Sequence, residues 1–187
     1  MTERRRVKVD DSGMPVRKAD VPAEFEEPAG SCDCPVLDKE EWDGVESDWA
    51  DITFLKTTTN AVLGVPVGYN SALAELRKRA AELGATVPED AMLLNGSGKF
   101  RRPVMLEIEG AAGGHKDVVR PGGIAFTRLL EAPWGELSKA VEKTNKQATE
   151  KYGRAPDDSW VWYLTCRECS KARKFETLIV AHYREKP

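Results

Sequence analysis

Histidine is scarce in this chain of 187 residues, which carries only His115 and His182, so chemistry built on several imidazoles has little to draw on. Long apolar runs are missing too. None approaches the roughly 20 residues of a membrane-spanning helix, and the basic opening Met1-Thr2-Glu3-Arg4-Arg5-Arg6 runs on into polar and acidic residues where a secretory leader needs its apolar segment. There is no Gly-x-Ser-x-Gly elbow, no phosphate-cradling glycine loop and no His-Glu-x-x-His helix, which argues against acyl transfer at a serine elbow, nucleotide hydrolysis and zincin proteolysis. Nothing looks like a helix-turn-helix. Positive charge is not in excess either: 28 basic residues face 31 acidic ones, a formal net charge of -3, whereas nucleic-acid binding calls for clustered Lys and Arg. These absences predict a cytoplasmic monomer or homodimer that binds neither nucleic acid nor membrane.

What is present is a globular composition, 41% hydrophobic and 32% charged, enough for one core under a heavily charged surface. Residues 1–30 are rich in charge, Pro and Gly without sustained apolar periodicity, and read as an extended or disordered arm. Residues 31–50 hold Cys32, Cys34, Pro35, Trp42 and Trp49 among acidic residues. Such a stretch is too aromatic for a linker and is expected to fold against the domain that fills 51–187.

Within that domain the spans 51–110 and 117–183 present the same order of elements. Ile52-Thr53-Phe54-Leu55, continuing to Val62-Leu63-Gly64, opens the first as a strand, and Ile124-Ala125-Phe126-Thr127-Arg128-Leu129-Leu130 opens the second. A helix follows in each. Tyr69, Leu73, Leu76, Ala80 and Leu83 fall on one helical face ended by Gly84, and Leu137, Val141, Thr144, Ala148 and Tyr152 make a weaker stripe ended by Gly153. Two strands close each half: Met92–Leu94 and Val104–Ile108 in the first, Trp160–Leu164 and Thr177–Ala181 in the second. The reading is therefore an α+β fold of tandem duplicated strand-helix-strand-strand units, forming an antiparallel sheet with helices on one face.

The passage Arg128-Leu129-Leu130-Glu131-Ala132-Pro133-Trp134-Gly135-Glu136-Leu137 and the closing strand Phe175-Glu176-Thr177-Leu178-Ile179-Val180 give the span from Trp49 to Tyr183 a resemblance to the GyrI-like group. That group includes effector-binding domains of multidrug-responsive activators, a gyrase-inhibitory protein and small hydrolases of cyclopropane-bearing natural products. The resemblance implies a stand-alone domain that binds a small molecule on a concave sheet face.

Trp160 and Trp162 alternate with Val161 and Tyr163 along one strand, so both indoles share a face. If helices cover the Val/Tyr side, the indoles form a stacking surface for an amphipathic or cationic aromatic ligand, with Tyr69, Phe126 and Trp134 as further ligand-binding candidates. The alternative is that these rings are simply core. For hydrolysis, Glu107 or Glu176 would act as general base on water and Tyr163 as proton donor. The pairs Cys32-Asp33-Cys34 and Cys166-Arg167-Glu168-Cys169 could surround a zinc ion if the lead-in packs beside the later turn; a reversible thiol switch and ordinary thiols are the other readings, leaving the cofactor as none or zinc. Three functions stay open at this point: a small-molecule binder, a hydrolase of the same fold, and a zinc-containing adaptor whose tail recruits a protein.

Overall fold

The computed structural model of the chain describes residues 6–8, 32, 34–62, 65–110, 114–133 and 135–184. Trp134 and the side chain of Tyr69, both ligand-site candidates, lie outside the described residues, as does the arm over 1–30 apart from Arg6–Lys8.

Arg6–Lys8 forms β1, Lys39–Trp42 α1, Val45–Asp48 β2, Thr53–Val62 β3, Val65–Val67 β4 and Tyr69–Glu82 α2. Leu93–Asn95 then forms β5, Arg101–Ile108 β6, Val118–Val119 β7, Ile124–Glu131 β8, Leu137–Tyr152 α3, Asp158–Tyr163 β9 and Glu176–Tyr183 β10. The strands make one antiparallel sheet in the order β1-β2-β8-β10-β9-β5-β6-β3-β4, with β7 also paired to β3. Its waist is the β5–β9 join, where Asn95 registers with Val161 and donates from its side-chain amide to the Val161 carbonyl at 3.2 Å.

The helices follow their apolar periods. In α2, Leu76 and Ala80 are fully buried, with Leu73 and Leu83 packed against the same core. In α3 the buried residues are Thr144 and Ala148, and Thr144 returns its hydroxyl to the Ala140 carbonyl at 2.9 Å, so a polar residue sits in the interface without an unmet donor. Gly153 ends α3 in the left-handed conformation, φ 72°, that an L side chain resists. Gly123 is required for a second reason: a Cβ there would fall 1.9 Å from the Tyr183 carbonyl oxygen.

Strand alternation sorts the second half of the sheet into two faces. Trp160 and Trp162 register with Val180 and Leu178 of β10, and these with Thr127 and Leu129 of β8. The opposite face carries Ser159, Val161, Ala181, Phe126 and Tyr183, and α3 lies on it: Ser159 bonds Asn145 at 3.0 Å, and Tyr152 packs against Phe126 and Tyr183. Phe126 is thus set apart from the two indoles it was expected to join, because one residue of register moves a side chain to the other face.

The indole face is not open. Trp160 is 8% and Trp162 3% exposed, and the lead-in crosses their side of the sheet with Leu37, Trp42 and Trp49 all buried. Trp49 stacks on His182 at 4.8 Å, and the His182 ring meets the Gly122 carbonyl at 2.8 Å through Nε2, making this histidine a packing residue. The expected stacking platform is core here, because apolar area of that size is stabilised by cover rather than by solvent.

Candidate metal centre

The lead-in reaches the sheet at Cys32 and Cys34, and these meet Cys166 and Cys169 from the turn after β9. None of the four is in a disulfide, and their sulfurs lie within 4.8 Å of one another. The Cys166 and Cys169 sulfurs are 3.8 Å apart. Local chain geometry makes the turn. Ser170 N–H donates to the Cys166 carbonyl at 3.0 Å and Arg173 N–H to the Cys169 carbonyl at 2.9 Å, while Cys166 N–H points at the Cys169 sulfur at 3.3 Å.

Hydrogen bonding sets the acidity of the thiols. Backbone N–H groups of Cys169 and Glu168 aimed at the Cys166 sulfur hold that thiol down at about 7. Burial, followed by hydrogen bonds with the Cys166, Cys32 and Cys169 thiols, pushes Cys34 up to about 12. Cys32 is also raised: the Cys34 backbone N–H pulls it down, but the bond with Cys169, burial and Cys166 outweigh that pull. Four sulfurs crowded together cannot all ionise without a cation between them, and a divalent ion removes the conflict. The cluster could therefore bind a metal ion, and with four protein ligands it would leave no position for substrate.

The same turn forms one wall of a pocket of about 270 Å³. Cys166, Arg167 and Ser170 come from the turn, Tyr163 and Thr177 from paired positions on β9 and β10, and Leu137 from the first residue of α3. Ala132, Thr165 and Phe175 complete it. Lys174 and Phe175 hold φ of 47° and 59°, so the chain enters β10 through two successive left-handed residues, a costly conformation for side chains of this kind. Burial raises the Tyr163 hydroxyl above its ordinary range, against a lowering pull from the nearby Arg102.

Of the residues expected to catalyse, Tyr163 lines the pocket and the two carboxylates do not. Glu107 is 6% exposed on β6 and accepts the Met92 backbone N–H at 3.0 Å. Glu176 pairs with Arg173, whose guanidinium also bonds the Leu164 carbonyl at 3.0 Å and the Pro35 carbonyl at 2.7 Å. The four cysteines come together as expected. Sequence reasoning missed Thr165, Arg167, Ser170, Phe175 and Thr177; the available signal was that a polar loop containing Cys-x-x-Cys joins two apolar strands.

A family model described as "Bacterial hydrolase" matches residues 24–182. No curated protein matches the chain.

Proposed function

The chain belongs to the bacterial hydrolase family, and on that premise we propose that it hydrolyses a small amphipathic molecule in the pocket between α3, the β9 and β10 ends and the cysteine turn. The observation that carries this reading is the wall itself, in which the polar Thr165, Arg167 and Ser170 stand among the apolar Ala132, Leu137 and Phe175. Among the described residues no carboxylate lines this pocket and Arg167 does, which favours a neutral or anionic ligand over the cationic one first expected.

The strand order supports a GyrI-like duplicated arrangement for the domain. β3-β6-β5 on one side and β8-β10-β9 on the other run inward to the β5–β9 join, each in the order first, third, second strand of its unit. Zinc is the ion proposed for the sulfur cluster: a tetrahedron with Zn–S of about 2.3 Å has sulfurs about 3.8 Å apart on each edge, and the Cys166–Cys169 pair meets that spacing. Thiols without disulfides suit a reducing compartment, and the cytoplasm is proposed on that ground.

The test is incubation of the purified full chain with a panel of small esters, lactones, amides and strained-ring electrophiles, followed by mass spectrometry of the recovered compounds. A gain of one water in at least one compound is the expected result. No hydrated product from any compound, with the protein folded, would overturn the reading.

A further inference from the structure

We infer that the metal centre is a latch, in which one ion fastens the lead-in over the indole face of the sheet and builds the pocket wall at the same time. The inference rests on the zinc reading above and adds a role to it. Two of its ligands, Cys32 and Cys34, belong to the lead-in, and the other two to the turn that supplies Cys166, Arg167 and Ser170 to the pocket.

The lead-in has little structure of its own. Its helix α1 is 4 residues long, capped by the Asp38 carboxylate on Glu40 N–H, and its strand β2 is another 4. A single helical turn does not hold in water without tertiary support. What holds this one is attachment: Trp42 on Trp162, Asp43 to Arg128 at 2.6 Å, and the Trp42 carbonyl to Thr127 at 2.7 Å. At the amino-terminal side of these contacts Leu37 packs into the core, and the cysteine cluster and the Arg173 bond to Pro35 tie the lead-in to the turn. Arg173 lies in the same turn, so both of these ties fail together if the turn loosens.

An ion joining the two segments thus stabilises lead-in and turn as one unit. By reciprocity, whatever fills the pocket strengthens metal retention, and metal strengthens whatever the pocket holds.

Hydrogen exchange read by mass spectrometry on the full chain tests this, with zinc alone as the added probe. Zinc-loaded protein is compared with chelator-treated protein and with Cys34→Ser, whose lost sulfur does not line the pocket. Chelation is expected to speed exchange about tenfold or more in both 35–49 and 164–177 while α2 and β6 keep their protection, with Cys34→Ser behaving likewise without chelator. Should that variant fail to fold, the wild-type comparison stands alone. Faster exchange confined to 164–177, in a chain that does bind zinc, overturns the latch and leaves the metal reading standing. A chain that binds no zinc removes both.

Discussion

Trp42 of α1 stands edge-on to Trp162 of β9, with ring centroids 5.8 Å apart and planes at 70°. The contact makes the lead-in part of the core of the sheet, and both rings are almost fully buried. Trp42→Ala is therefore expected to cost about 3–5 kcal/mol, the range for removing a buried aromatic ring. Urea unfolding of the full chain measures it, and a loss under about 1 kcal/mol would mean that the lead-in is not core.

Tyr152 and Tyr183 predict the alkaline limit of stability. Burial raises both hydroxyls above the ordinary value of 10, with the Glu46 bond adding to Tyr152, and Tyr183 reaches about 12. The folded chain thus holds these protons more tightly than the unfolded one. Their contribution is whole below pH 10; that of Tyr183 is lost as pH rises through 12, and that of Tyr152 falls over the same interval and beyond it. The melting temperature should fall over that interval, and less steeply in Tyr152→Phe.

Much of this was legible in the residues. Helix faces and stops show in spacing and in Gly84 and Gly153, and the two cysteine pairs offered a shared metal site as one of three readings, beside a thiol switch and ordinary thiols. The cover over Trp160 and Trp162 was not legible. Alternation tells which residues share a face, but what packs on that face is a long-range matter, and α1 is too short to leave a periodic signal. The same limit misplaced Phe126, whose face follows from the pairing of β8 with β10 rather than from its own strand. Glu107 looked catalytic by type; only its bond to Met92 N–H shows it engaged in holding the chain.

Lys174 occupies a left-handed conformation, φ 47°, at the exit of the cysteine turn, and its ion pair with Glu131 is exposed and so worth little. Lys174→Gly should stabilise the chain by about 1 kcal/mol, since glycine takes that conformation without a Cβ penalty. Thermal unfolding checks this; destabilisation would show the ion pair to outweigh the strain.

The direct test of a four-sulfur centre is X-ray absorption at the zinc edge on protein purified without added metal. The account predicts about one zinc per chain in a shell of four sulfurs near 2.3 Å. An absent edge, or a first shell containing nitrogen or oxygen, would contradict it.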